Sequence, residues 1–272
     1  MTRRRIVRSL LGAMTLAVFL FMLAPVLVVV FQAFNDSPTS TFPLTGVTLR
    51  WFTALPDDPA IVGALRTSLA LAAWASVLST LIGTTAAYAL ARFRFRGRNF
   101  VQLLLTIPIL VPHIVLGVGL LLAFRFVGLA KSFPLLIVGH IAITLPFVVL
   151  TTGHRLQAIP LQIEEAARTL GANRLQTFKA ITLPLALPAI LTSLMFAFMS
   201  SFDEVTATLF WLPANIETIP SHIMAMLQFS VDQKINSLAS ALILGSVGLA
   251  FVTVLASRAL SADARLKRGP RT

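Results

Sequence analysis

The sequence predicts an all-α, polytopic membrane protein with six transmembrane helices in a single domain, 1–272, and three observations carry that prediction. Of the 272 residues, 57% are hydrophobic and only 12% are charged, and the mean hydropathy is +0.87; such a composition belongs to a membrane protein. Six long uncharged runs, 9–35, 67–91, 99–124, 132–153, 180–202 and 235–257, each exceed the ~20 residues a spanning helix needs. Their period is helical or indeterminate, and they are too long for the ~10-residue strands of an outer-membrane barrel.

The first run follows Arg3, Arg4, Arg5 and Arg8, which imitates a signal peptide. It is too long for one, and no clean small-residue cleavage signature follows, so it is read as the first span. Residues 36–58 form a loop with Pro38, Pro43 and Pro56, ending near Trp51, an expected interfacial anchor. The second span, 67–91, carries Ser68, Ser76, Ser79, Thr80, Gly83, Thr84 and Thr85, small and hydroxyl residues that let membrane helices pack closely. Pro108 and Pro112 interrupt the third, 99–124, and predict a kink. The fourth, 132–153, holds His140 and Pro146; Pro184 and Pro188 open the fifth, 185–206; the sixth is 235–257.

Orientation follows from Lys and Arg. Seventeen lie at the N-terminus, in 92–98, in 154–184 and in 258–271, and five lie in the remaining loops. Both termini and the 154–184 loop are therefore expected in the cytoplasm. That face carries a net charge of +14 and the other −2, so the overall +12 reflects topology. Arg92, Phe93, Arg94, Phe95 and Arg96 alternate like a nucleic-acid patch, but membrane stop-transfer and lipid-headgroup contact explain them, and no nucleic-acid partner is expected. With no cysteine, disulfides, thiol chemistry and Cys-ligated metal are excluded.

The 154–184 loop is the most informative segment. Pro160 suits the first turn of a helix and Gly171 the left-handed residue that ends one. Asn173 and Gln176 then form the capping box of a second short helix. Ala166 and Ala167 have almost no side chain, so another protein surface can approach the first helix closely, while Glu165 offers a charged contact or an internal pin. Glu165, Ala166, Ala167, three residues, Gly171, nine residues, then Ile181, Leu183 and Pro184 together resemble the EAA loop of binding-protein-dependent ABC importer permeases of the MetI-like superfamily. Further stretches, 88–97, 140–150 and 201–205, with a weaker one at 236–239, are similar to the spermidine/putrescine permease group. The resemblance implies that Glu165, Ala166, Ala167, Gly171, Ile181, Leu183 and Pro184 couple the chain to an ATPase. It also implies a bacterial inner-membrane location, a second homologous permease subunit, two cytosolic ATPase subunits that bind ATP and Mg, and an external or periplasmic solute-binding protein. One departure stands out: polyamine permeases tend to be acidic after the third-span proline, where this chain has His113. That leaves other small amines, opines or organic acids as alternative solutes.

Chemistry of its own is not expected. There is no G-x-x-x-x-G-K-[ST] loop, no H-E-x-x-H and no G-x-S-x-G, and the four histidines are scattered. The chain is thus expected to be a transport subunit with no ATPase site, no metal and no cofactor. A polar stripe, Ser193, Phe196, Ser200, Asp203 and Thr206, recurs at helical spacing on the fifth span. Asp203 either lines a translocation route for a cationic solute or is an interfacial carboxylate contacting water or capping a neighbouring helix. Glu204 sits ~100° around the same helix, His113 is a further path candidate or else a satisfied core histidine, and Phe210 and Trp211 read as interfacial anchors in preference to an aromatic gate. The competing class is a proton- or ion-coupled carrier using Asp203, Glu204, His113 and His140, although the paired halves common in such carriers are not evident.

Overall fold

The computed structural model describes residues 2–38, 44–229 and 233–266. In order the helices are α1 (Thr2–Gln32), α2 (Arg50–Ala54), α3 (Pro59–Arg92), α4 (Arg98–Thr106), α5 (His113–Phe126), α6 (Phe133–Gln157), α7 (Leu161–Thr169), α8 (Arg174–Thr177), α9 (Leu183–Phe202), α10 (Thr208–Trp211), α11 (Ile219–Phe229) and α12 (Lys234–Leu266). Among the described residues the only β pairing is one isolated bridge between Asn35 and Val47. The fold is all-α.

Five of the expected spans are unbroken, in α1, α3, α6, the helix running from Arg174 to Phe202, and α12. The third is a sharper departure than a kink. Its two halves, Arg98–Leu110 and His113–Phe126, meet at 116°. The cause is local: Val111 is extended (ψ 128°) ahead of Pro112, which disfavours helical geometry in the residue before it and cannot donate a backbone hydrogen bond. A 3₁₀ turn at Ile107–Leu110 ends the first half.

Two other boundaries shift. The short helix capped by Asn173 is not separate from the fifth span, because a π-helical turn, Phe178–Thr182, joins it to α9. The wider turn accommodates Pro184, whose missing N–H and ring conflict with the regular four-residue ladder; the Leu183 amide instead reaches back to the Phe178 carbonyl. At its other end α9 stops at Phe202, short of 206, so Thr206 does not continue the polar stripe on that helix.

Packing groups the chain into two compact units, each drawn from two stretches of sequence: Met1–Val62 with Ile223–Val247, and Gly63–His222 with Gly248–Thr272. In the first, residues 4–28 of α1 are exposed throughout, as suits a helix whose surroundings are lipid or another subunit. Asn35 is fully buried at its end. Its Oδ1 accepts from the Thr45 amide at 3.0 Å and the Thr45 hydroxyl at 3.1 Å, while its Nδ2 donates to Gln32. The Trp51 indole N–H donates to the Asn35 carbonyl at 2.9 Å. Asp58 precedes α3 and accepts from the Ala60 amide and from Lys234 Nζ, each at 3.1 Å. Burial pushes its carboxyl up, but the Lys234 hydrogen bond, the Ile61 amide, the Lys234 charge and the Ala60 amide outweigh it and hold it below the ordinary carboxylate value. A depressed folded-state value means stability that is present above the unfolded carboxylate pKa and lost as pH falls through the folded one. Thermal melts at descending pH are expected to show a weaker acid loss in Asp58→Asn than in the native chain; superimposable acid limbs would contradict this.

The second unit is organised around α6. Ser79 Oγ and Thr144 Oγ1 lie 2.7 Å apart between α3 and α6, and Thr152 and Ser193 hydroxyls 3.4 Å apart between α6 and α9. A Cβ on Gly83 would meet Val148 Cγ1 at 2.7 Å, so the backbones of α3 and α6 approach where only glycine fits. One apolar cluster joins Leu71, Leu136, Ile143 and Trp211; a second joins Ala87, Leu156, Ile159 and Ala186 beside the α7 knuckle.

Candidate functional site: the α7 knuckle and the His113 and Glu204 pair

The knuckle takes the form its sequence predicts. Pro160 caps α7, and at the other end Gly171 has φ +93°. The Gly171 amide donates to the Arg168 carbonyl at 3.0 Å and the Ala172 amide to Ala167 at 3.1 Å, the paired bonds of a Schellman stop. The capping box of α8 is complete: Asn173 Oδ1 accepts from the Gln176 amide at 2.9 Å, and Gln176 Oε1 accepts from the Asn173 amide at 2.8 Å. Two local signals thus place a sharp corner between α7 and α8.

The outer face of that corner is open. Glu165, Ala166 and Gly171 are exposed and Ala167 is half-buried. Leu161, Leu170 and Leu175 are exposed too, Leu170 at 89%. Large apolar side chains flanking two alanines and one carboxylate form a surface suited to burial against another protein. Ile181 and Leu183 are half-buried in the joint leading to α9, and Pro184 is exposed.

The inner face is held by a residue that sequence reasoning missed. Glu164, not Glu165, is the internal pin. Its Oε1 accepts from Arg92 Nε at 2.9 Å and Nη2 at 2.8 Å and from the Thr182 hydroxyl at 2.9 Å. Only 7% of the Arg92 side chain and 4% of the Glu164 side chain are exposed. No local pattern announces a contact between residues 72 apart in sequence. A cavity of about 130 Å³ lies alongside, lined in part by Tyr88, Arg92, Phe93, Glu164, Arg168 and Arg174.

The path candidates separate into different environments. Glu204 is buried, and its Oε2 lies 2.5 Å from Nδ1 of His113, the residue that opens α5 just past the break in the third span. Its Oε1 accepts from the Ala207 amide at 2.8 Å. Both oxygens are therefore engaged, and only 6% of the side chain is exposed against 41% for His113. Asp203 ends α9 and is exposed; among the described residues its carboxylate has no hydrogen-bond or ion-pair partner. Phe196 is exposed with its ring 4.7 Å from that of Phe147, and Ser200 is half-buried. Ser193 belongs to the face packed on α6, so the stripe divides between a packed face and an open one.

The polar groups beside Glu204 are likewise buried and paired. His140 is 1% exposed, its Nδ1 2.8 Å from the Ser201 hydroxyl and its Nε2 3.0 Å from that of Thr208. Trp211 is fully buried, and its indole N–H donates to the Gly117 carbonyl at 2.8 Å. It is thus a core residue and not the interfacial anchor expected from sequence. The expectation failed because an anchor and a buried tryptophan with a satisfied N–H look alike in one dimension. Among the described residues no group of three or more His, Cys, Asp or Glu is placed to hold a metal.

Comparison with known proteins gives this geometry a family. Residues 79–266 match the family described as binding-protein-dependent transport system inner membrane component. The chain is 33% identical over 256 residues to the spermidine/putrescine transport system permease protein PotC of Escherichia coli (strain K12), covering 94% of this chain and 95% of the relative. It is 35% identical over 252 residues to the putrescine transport system permease protein PotI of the same strain, covering 90% and 87%. In fold it resembles a chain of the bacterial alginate ABC transporter solved with an alginate pentasaccharide-bound periplasmic protein, with TM-score 0.72, 18% identity and 95% of each chain covered. A corner between two spans, open on one face and anchored on the other, is thus part of a multi-pass transport component, and the chain belongs to the binding-protein-dependent transport system inner membrane component family.

Proposed function

We propose that the chain is one permease subunit of an ATP-driven importer of a small polar solute, with spermidine, putrescine or a related amine the solute class that its similarity to PotC and PotI favours. A second homologous permease subunit, two ATPase subunits and an external solute-binding protein complete the assembly. ATP and Mg are bound by the ATPases, and no cofactor is bound by this chain. The α7 knuckle and both termini face the cytoplasm, as the distribution of Lys and Arg supports. Closure of the ATPases around ATP moves the knuckle and reorients the spans in alternating access.

The observation that carries this reading is the knuckle: an outer face of exposed leucines beside Glu165 and Ala166, on a corner whose inner face is tied to the spans by a buried ion pair. At the far end of α9, Asp203 offers a free carboxylate to a cationic solute. In vesicles holding the complete importer, Asp203→Asn is expected to lower uptake of putrescine about tenfold, of the order of one charge-assisted hydrogen bond. Unchanged uptake with unchanged preference for cations would remove the role of Asp203. A non-polyamine solute, such as an opine or small organic acid, is the second reading. It is favoured by the pairing of His113 with Glu204, which leaves one free carboxylate there instead of two.

A further inference from the structure

Both side chains of the Arg92 and Glu164 pair are more than nine-tenths buried, in a chain where a buried charge is tolerated only when matched. Its placement is specific. Arg92 is the last residue of α3, Glu164 lies in α7, and Thr182, which shares the same Glu164 oxygen, is the last residue of the π-helical turn entering α9. One carboxylate oxygen therefore joins the second span, the knuckle and the fifth span. Arg92 also donates to the Ile159 carbonyl at 3.4 Å, immediately before α7. Arg168 Nε reaches the Glu164 carbonyl at 3.3 Å from the next turn of α7.

The chemistry of the joint determines what it transmits. Apolar surfaces slide over one another at little cost, whereas a guanidinium gripping one carboxylate oxygen with two N–H groups fixes distance and direction together. A push on the exposed face of α7 would otherwise be absorbed by rotation of a nine-residue helix between two loops.

We propose that Arg92 and Glu164 are positioning residues that lock α7 to α3 and α9, so that displacement of the knuckle becomes displacement of the second and fifth spans. This rests on the importer reading above and adds the route by which force enters the bundle. The pair touches neither solute nor nucleotide, and its loss should uncouple the importer without dissociating it.

The test uses the complete importer in nanodiscs and vesicles. Arg92→Ala and Glu164→Ala are each expected to retain the ATPases on co-purification and to retain ATP hydrolysis, while solute carried per ATP falls about tenfold, within the range that coupling positions carry. The reversed pair, Arg92→Glu with Glu164→Arg, is expected to regain most of the lost ratio, which also covers the case in which a single variant fails to fold. Because the chain has no cysteine, spin labels at Thr85→Cys in α3 and Gln162→Cys in α7 report the joint directly. Their separation is expected to stay fixed between nucleotide-free and ATP-trapped states, and to broaden in Glu164→Ala. A change of about one helical turn, ~5.4 Å, in the otherwise native chain would overturn the proposal, as would unchanged solute carried per ATP in both single variants. If the native chain brought down no ATPase at all, the importer reading would fail and this proposal with it.

Discussion

Trp211→Ala is expected to destabilise the protein by about 3 kcal/mol, the low end of the range for deleting a large buried aromatic. The low end applies because packing and hydrogen bonding, more than expulsion of water, hold membrane helices together. Trp211 has no solvent exposure, donates to the Gly117 carbonyl and stacks edge-on with His140 at 6.2 Å between centroids. Its ring also occupies the space that a side chain at position 139 would need: a Cβ on Gly139 would lie 2.3 Å from both Cε3 and Cζ3. Gly139→Ala alone is therefore expected to cost about 1–3 kcal/mol through overpacking. In the Trp211→Ala background the new methyl group enters the vacated volume, and the second substitution should cost little or nothing. Thermal melts in nanodiscs of the native chain, both single variants and the double variant test this as a cycle. Additive losses would mean that the two positions do not share the space the structure assigns to them.

Glu165→Lys is expected to weaken ATPase association by about a hundredfold, comparable to reversing one charge at the centre of an interface. Glu165 lies on the open face of α7 beside Ala166, with Leu161 and Leu170 exposed around it. The change places a cation where the proposed partner meets a carboxylate, and the long side chain stands beside the alanines that permit close approach. Gly171→Val should act differently. A Cβ at this position would meet no neighbouring atom within 4 Å, but φ is +93°. The cost is therefore backbone strain of about 1–2 kcal/mol, which opens the corner and misdirects α7. Co-purification should thus fall sharply in Glu165→Lys and more modestly in Gly171→Val, whose thermal midpoint should also drop. Full ATPase recovery with Glu165→Lys would place the docking surface elsewhere.

The His113 and Glu204 pair explains why adjacent carboxylates have different prospects. Asp203 and Glu204 look equivalent in sequence, and helical spacing separates only their directions. In the structure α9 ends at Phe202 with Asp203 as its C-cap, and the chain turns, carrying Glu204 inward onto His113 and the Ala207 amide and leaving Asp203 open. The same turn breaks the polar stripe before Thr206. Helical periodicity could not foresee this, because it assumes that the helix continues.

Local chemistry made much of this protein legible in one dimension. Lipid requires every backbone polar group to be satisfied within the segment, so long uncharged runs declare spanning helices. Pro160, Gly171, Asn173 and Gln176 declare a knuckle because capping acts over a few residues. The sequence by itself therefore determined the all-α class, the five unbroken spans and the corner between the fourth and the fifth. Tertiary structure alone decided the burial of Trp211 against Gly139 and the choice of Glu164 over Glu165 as the internal pin. Each of these depends on partners far away in sequence, such as Arg92 for Glu164 and Gly117 for Trp211. Nothing in the covalent neighbourhood of a side chain encodes which distant group will meet it once the helices have packed.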